Sequence, residues 1–255
     1  MFRVIAARIR QGHRTMKYPG GPPPALPDRF RGMPSVDPAR CPDGCGGCAS
    51  VCPTGALARD GSVKLDMGRC LFCGECERQC PAGTVRFGSD YRLAARCREA
   101  LVVRGKEHRI VEPADAAVKR MFGRSLKLRQ VSAGGCNACE ADANVLTTPA
   151  WDIGRFGIQF VASPRHADGL LITGPVTENM KLALEKTYAA VPSPKIVIAS
   201  GACAISGGPY RDHPEACNGA AGVVPVDLYV PGCPPHPLTL LEALLDLLGR
   251  TARKD

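Results

Sequence analysis

The chain has 255 residues, 45% of them hydrophobic and 22% charged, enough apolar material for one large or two modest folded units. That excludes a disordered tail protein, and the longest apolar runs, such as Ile196-Val197-Ile198-Ala199, fall well short of a membrane span. The formal charge of +9 points toward nucleic acid only while all 14 cysteines are counted as neutral thiols.

In chain order, the first segment is basic. Arg3, Arg8, Arg10, Arg14 and Lys17 stand there with no acid before Asp28. Coiled as a helix, the opening residues put Phe2, Ile5, Ala6 and Ile9 on one face, with most basic residues to one side. That pattern suits an anionic membrane surface or a partner subunit, the plain alternative being a solvated helix. Charge interrupts this stretch too often for a secretory signal, so the cysteines are expected in a reducing cytoplasm, where they bind metal rather than form disulfides. Gly20-Gly21-Pro22-Pro23-Pro24 ends the helix and begins a connector, which makes residues 1–30 one N-terminal segment.

Residues 31–95 contain an internal repeat. Cys45, Cys48 and Cys52 recur 28 residues later as Cys73, Cys76 and Cys80, and each run ends in Cys-Pro. Cys70-x2-Cys73-x2-Cys76-x3-Cys80-Pro81 is the bacterial iron-sulfur run, in which three closely spaced thiolates hold one cubane and the fourth reaches the other cluster. This predicts one 4Fe-4S cluster on Cys70, Cys73, Cys76 and Cys52, and a second on Cys41, Cys45, Cys48 and Cys80. Zinc knuckles also use Cys-x2-Cys pairs, but a zinc site has no use for an interleaved three-plus-one pattern. Cys41 and Cys45 are separated by three residues instead of two. Either Gly44, Gly46 and Gly47 absorb the extra residue, or a three-iron or labile cluster results.

Residues 96–124, rich in Arg and Lys with no clear period, read as a linker. Beyond them, strands are predicted at 125–131, 169–172, 195–200 and 224–230. Helices are predicted after Thr177, as an N-cap, and after Pro237, with Leu241, Leu244, Leu245 and Leu248 on one face. Alternating strands and helices imply an α/β unit over 125–255 with a parallel sheet, whose ligands gather outside the carboxyl ends of the strands. Cys136 and Cys139, Cys203, and Cys233 all follow such ends and form a third set of four. Cys97 and Cys217 have no partner at ligand spacing and read as packed or incidental thiols. With twelve thiolates around three cluster cores of about 2+ each, the net charge falls to about +3, and the nucleic-acid reading loses its support.

These motifs resemble a known family. Tyr18-Pro19, Phe30-Arg31-Gly32 and the double cysteine run are similar to the ferredoxin-like subunit of formate hydrogenlyase and hydrogenase-4 type energy-converting NiFe hydrogenases, which corresponds to the two-cluster subunit of respiratory complex I. Gly135-Cys136-Asn137-Ala138-Cys139-Glu140, Ala162–Asp168, Thr173–Thr177 and Tyr229–Pro235 resemble the small subunit of those hydrogenases and the quinone-site subunit of complex I. The chain therefore resembles a fusion of two subunits usually made separately.

The resemblance implies a flavodoxin-like C-terminal domain preceded by a small α+β dicluster ferredoxin domain. It also implies an electron-transfer role with three 4Fe-4S clusters, in an oxidoreductase complex peripheral to the cytoplasmic face of the inner membrane. Implied partners are a hydrogenase large subunit or its counterpart in complex I, membrane-arm subunits, and a soluble ferredoxin or formate dehydrogenase-type donor. Nucleic acid is not among them. Cys136 and Cys139 are spaced as in the hydrogenases, and His236 stands where complex I-like chains usually carry arginine, so a quinone-site role is not carried over. Glu140 corresponds to an acid that is a proposed proton relay in the resembling small subunits; a solvated loop carboxylate is the alternative. Arg165-His166-Ala167-Asp168 reads as a charged loop of structural or interface use. A zinc-stabilised nucleic-acid-binding protein, a quinone-reducing complex I-type subunit and a free-standing ferredoxin-like carrier are the competing readings.

Overall fold

The computed structural model describes residues 2–12, 14–42, 45–60, 62–105 and 120–251. The chain opens with helix α1 (Phe2–Gln11), none of whose residues is buried. Strand β1 (Pro34–Val36) comes next, then the four-residue helix α2 (Gly47–Ser50), which carries Cys48 inward. A hairpin of β2 (Leu57–Asp60) and β3 (Ser62–Asp66) is followed by helix α3 (Glu75–Gln79), which carries Cys76 inward. Strand β4 (Val85–Phe87) returns antiparallel to β1, and β5 (Val102–Val103) adds to the free side of β3. The repeat seen in the cysteines thus extends to the scaffold, with each run folding as loop, short helix, Cys-Pro turn and strand.

The expected linker at 96–124 begins later than its composition suggests. Arg98–Leu101 forms a 3-10 turn and leads into β5, because Leu101 and Val103 are apolar and bury in the same core as Leu65 and Met67. Arg98 reinforces this with a bidentate ion pair to Asp66, at 2.7 and 2.6 Å. The middle of that stretch, 106–119, lies outside the described residues.

The second half is a five-stranded parallel sheet. Its strands are β6 (Leu126–Ser132), β7 (Ile158–Phe160), β8 (Gly169–Thr173), β9 (Ile196–Ser200) and β10 (Leu228–Val230), in the order β10-β9-β8-β6-β7. β8 and β9 are buried at every position, as expected for central parallel strands covered on both faces. Helices α4 (Ala138–Val145), α5 (Glu178–Ala190), α6 (Ala202–Ser206) and α7 (Pro237–Leu247) pack around them. This is the α/β arrangement the sequence predicts.

Three local expectations need correction. β10 starts at Leu228, not 224: Pro225 has no N–H for a ladder, and the Asp227 carboxylate accepts from the Val197 N–H at 2.8 Å, holding the strand's start. Thr177 occupies the N-cap position of α5, yet its side chain makes no capping hydrogen bond. α7 is buried along its whole length rather than on one leucine face, because the N-terminal connector and the segment around 91–95 cover its polar side.

The two halves share one core. Val36, Leu65, Cys70 and Val85 from the first pack in the same cluster as Ala204, Ile205 and Tyr229 from the second. Ala95 forms an antiparallel bridge with Tyr229, and the Ser206 hydroxyl donates to the Gly68 carbonyl at 2.9 Å. The connector is tied down too: Arg155 donates to the carbonyls of Met16 and Tyr18, and the buried Tyr18 hydroxyl donates to Glu242 of α7.

Candidate metal centres

All 14 cysteines are free thiols. In the first half they meet in two exchanged sets. The Cys48 thiol is pushed up by burial and then by the charges of Cys80, Cys41 and Cys45, so the fourth member of its set comes from the other run. Burial pushes Cys70 up to about 12, with further contributions from Cys76, Cys52 and Cys73, and Cys52 is the foreign member of that set. One apolar pocket is lined by Cys52, Cys70, Cys73 and Cys76 together with Leu57, Leu65, Leu71 and Phe87. The geometry brings together the same eight residues that the spacing groups. Asp43 and Gly44, where the first run is one residue longer, lie outside the described residues.

The two exchanged cysteines have a distinct environment. Burial raises the Cys52 thiol, but the N–H groups of Thr54, Ala56 and Leu57 and the Thr54 hydroxyl outweigh it, and the net shift is downward. Cys80 behaves the same way: burial raises it, and the Thr84 side chain and the N–H groups of Thr84, Val85 and Gly83 bring it below its usual value. The Ala56 N–H reaches Cys52 Sγ at 3.2 Å, and the Thr84 N–H reaches Cys80 Sγ at 3.4 Å. Each Cys-Pro turn therefore presents backbone donors to its sulfur and favours the thiolate, the form that binds metal.

The third set gathers at the carboxyl end of the parallel sheet. Cys136 and Cys139 follow β6, Cys203 follows β9 and Cys233 follows β10. Burial pushes Cys139 up to about 12, and Cys203, Glu140, Cys233 and Cys136 add to it. Burial likewise pushes Cys203 to about 11, with Cys233 and Cys136 contributing. Two glycines make room: a Cβ on Gly201 would lie 2.6 Å from Cys139 Sγ, and one on Gly208 would lie 2.8 Å from Cys203 Sγ. Both have positive φ, +92° and +54°, so a larger residue is refused on two counts.

Among the described residues, no three His, Cys, Asp or Glu side chains close on a single-ion site. What the thiols of each set share is mutual electrostatic contact and enclosure. Sets of four thiols, backbone donors aimed at sulfur and absent Cβ atoms form a donor environment that fits a 4Fe-4S cluster in each place.

The sets are also near one another. Cys48 contributes to the raised Cys76 thiol, and Cys73 contributes, after burial and Cys136, to the raised Cys233 thiol. A cavity of about 240 Å³ lies at this junction, walled by Phe72, Cys233 and His236, with Arg29, Arg31 and Asp142 around it. His236 caps α7, its Nδ1 accepting from the Leu238 N–H at 3.1 Å, and its ring meets Phe30 edge-on at 5.3 Å. Burial lowers its pKa.

Glu140 is not a solvated loop carboxylate. It stands in the first turn of α4, is 6% exposed, and accepts from the Thr173 hydroxyl at 2.6 Å. It lines an open groove with Arg129, Asn144 and Met180. Arg165–Asp168 has structural use, since the Asp168 carboxylate accepts from the Lys127 N–H at 2.7 Å. Cys97 is exposed rather than packed, and the Cys217 thiol donates to Glu178 at 3.2 Å. Pairwise spacing gave no sign of Arg59, whose guanidinium reaches the Cys41–Cys45 loop, or of the Tyr18–Glu242 tie; both depend on folding across strands and halves.

Residues 136–247 match the family described as NADH ubiquinone oxidoreductase, 20 Kd subunit, and residues 40–84 match the 4Fe-4S dicluster domain. The chain is 39% identical over 147 residues to the probable membrane-bound hydrogenase subunit mbhJ of Pyrococcus furiosus, covering 58% of this chain and 88% of that protein. It is 42% identical over 139 residues to formate hydrogenlyase subunit 7 of Escherichia coli, spanning about half of each, 54%. It is 44% identical over 114 residues to an NADH-quinone oxidoreductase subunit of Clostridium beijerinckii, covering 44% of this chain and 68% of that one. Among solved structures, a chain of the membrane-bound sulfane sulfur reductase, an archaeal respiratory membrane complex, is 32% identical, with 55% of this chain and 78% of that chain covered and a TM-score of 0.46.

Proposed function

The chain belongs to the family of the 20 Kd subunit of NADH ubiquinone oxidoreductase, joined to a 4Fe-4S dicluster domain, and from that premise we propose that it is the electron-transfer subunit of a membrane-bound hydrogenase or complex I-like oxidoreductase. In this reading it holds three 4Fe-4S clusters. The first uses Cys41, Cys45, Cys48 and Cys80, the second Cys70, Cys73, Cys76 and Cys52, and the third Cys136, Cys139, Cys203 and Cys233. The observation that supports it is that Cys48 of the first set helps raise the Cys76 thiol of the second, and Cys73 of the second helps raise the Cys233 thiol of the third.

A 4Fe-4S cluster bound at each set supplies reversible one-electron chemistry. The rest belongs to the chain. The backbone donors at the two Cys-Pro turns favour thiolate at Cys52 and Cys80, and the shared core of the two halves fixes the second set against the third. Gly201 and Gly208 keep the third set open to four sulfurs. Residues 31–95 with the β5 strand form the dicluster unit, and 125–251 form the unit that faces the large subunit. Glu140, buried beside Cys139, is the group through which a proton would pass between the two subunits.

The partners that follow are a hydrogenase large subunit or its complex I counterpart at the third set, membrane-arm subunits, and a soluble ferredoxin or formate dehydrogenase-type donor at the first. Among the described residues no helix is long and apolar enough to cross a membrane. Attachment at the cytoplasmic face of the membrane, in this reading, runs through partners and through the exposed apolar and basic residues of α1.

Metal and sulfide analysis of anaerobically purified full chain, with electron paramagnetic resonance, tests the reading. About twelve iron and twelve acid-labile sulfide per chain are expected from three cubanes. Stoichiometric zinc without sulfide overturns it and restores the structural-zinc alternative.

A further inference from the structure

Thr84 stands just before β4, at the end of the second Cys-Pro turn, and is 1% exposed. Its N–H reaches Cys80 Sγ at 3.4 Å, and its carbonyl accepts from the Asp37 N–H at 2.8 Å. Asp37 opens the 3-10 turn Pro38–Arg40, which the Cys41 N–H closes on the Pro38 carbonyl at 3.1 Å. One residue therefore joins the exchanged cysteine to the segment that delivers Cys41, and its backbone is held from both sides. Its hydroxyl is not held. Thr84 Oγ1 is buried and has no hydrogen-bond partner among the described residues, although the side chain is close enough to help bring down the Cys80 thiol. A buried hydroxyl without a partner is costly, and native proteins leave few of them. The residue 28 places earlier in the repeat is Ala56, whose N–H reaches Cys52 Sγ at 3.2 Å in the same way but which carries no hydroxyl. The threonine of that other turn, Thr54, lies 3.9 Å from Cys52 Sγ and donates its proton to the Arg69 carbonyl at 2.7 Å.

We propose that Thr84 is a positioning residue of the first set, whose hydroxyl donates to the Cys80 sulfur once that sulfur is a cluster ligand and so makes the first cluster easier to reduce. This deepens the proposed function and rests on it. A hydroxyl proton bonds a thiolate more strongly than a neutral thiol, because the acceptor is charged. The orphaned oxygen thus gains its partner when Cys80 becomes a thiolate ligand. A 4Fe-4S cluster with four thiolates is anionic and gains a further negative charge on reduction, so a hydrogen bond donated to a ligand sulfur favours the reduced state. The burial of Thr84 keeps water from taking the same place, and its two backbone bonds fix where the hydroxyl sits.

The test is a redox titration of the full chain, with each cluster followed by electron paramagnetic resonance and the first identified by its change in Cys80→Ala. Thr84→Val keeps the branched shape and removes the donor. It should shift the oxidised-to-reduced ratio of the first cluster about threefold toward oxidised at fixed potential, about 30 mV at about 59 mV per tenfold for one electron. The second and third clusters should not move. Thr84→Ser keeps the hydroxyl and should hold the wild-type potential, whereas Thr84→Ala should shift it as Thr84→Val does. If Thr84→Val assembles only the second and third clusters, the difference between Thr84→Ser and Thr84→Ala still isolates the hydroxyl. An unchanged potential in Thr84→Val, Thr84→Ser shifted as far as Thr84→Ala, or all three clusters shifted alike overturns the proposal. No iron-sulfur signal even in wild type would mean that the underlying function is wrong.

Discussion

Cys73 and Cys233, one in the loop before α3 and the other in the loop after β10, stand close enough that the charge of the first raises the thiol of the second. On the other side, Cys48 of the first set contributes to the raised Cys76 thiol of the second. In fully reduced protein, spin–spin broadening should therefore couple the second cluster to the third and to the first, but leave the first and third uncoupled. Strong broadening between the first and third would contradict a first–second–third order.

The exchange of Cys52 and Cys80 makes a paired prediction. Cys80→Ala should lose or convert the signal of the cluster on Cys41, Cys45 and Cys48, and Cys52→Ala that of the cluster on Cys70, Cys73 and Cys76. Cys41→Ala should be milder than Cys80→Ala and leave a three-iron signal. Should Cys80→Ala abolish only the second signal, each run would be holding its own cluster.

Helix α1 leaves Phe2, Val4, Ile5 and Ile9 exposed, four of the seven large apolar residues exposed among those described. With Arg3, Arg8 and Arg10 on the same helix, Ile5→Glu with Ile9→Glu should abolish binding to vesicles containing anionic lipid. Wild-type binding should weaken as salt rises, because burial and charge act together. The metal content should be unchanged. Equal sedimentation of wild type and variant with the vesicles would show that α1 does not serve as the attachment.

Glu242 gives a pH-dependent prediction. Burial raises its carboxyl pKa, and the bond donated by Tyr18 only partly offsets this. The folded chain keeps a proton there that the unfolded chain has lost, so the stabilisation is complete below the ordinary carboxylate range and is lost as pH rises through the raised value. Glu242→Gln has no proton to lose and can still accept from Tyr18. Its Tm relative to wild type should climb as pH is raised from the ordinary carboxylate range toward neutral and above. A difference that stays flat across that range would show that the carboxyl is not raised.

How much of this was legible in the chain depends on what each feature rests on. The proposed thiol sets rest on close cysteine spacing and on the repeat that copies it, both visible in the chain. The third set was readable because strand ends in a parallel sheet collect ligands. Leu101 and Val103 were hidden among basic residues, where composition says linker and only burial says strand. The full enclosure of α7 was unreadable, since Glu242 and Asp246 look like a solvated face until Tyr18 and Thr251 arrive to bond them. Arg59 gave no periodic or motif signal at all.

The bonds that tie the halves together, Ser206 to Gly68, Ala95 to Tyr229 and Tyr18 to Glu242, should keep them associated even when the chain is cut between residues 105 and 120. A protease site engineered there and cleaved should leave two fragments that migrate as one on size exclusion in non-denaturing buffer. For the electron hand-off proposed between the second set and the third, the result is independence from dilution. Two separate subunits must find each other at a rate and occupancy fixed by an association constant, whereas here that encounter is completed once, during folding.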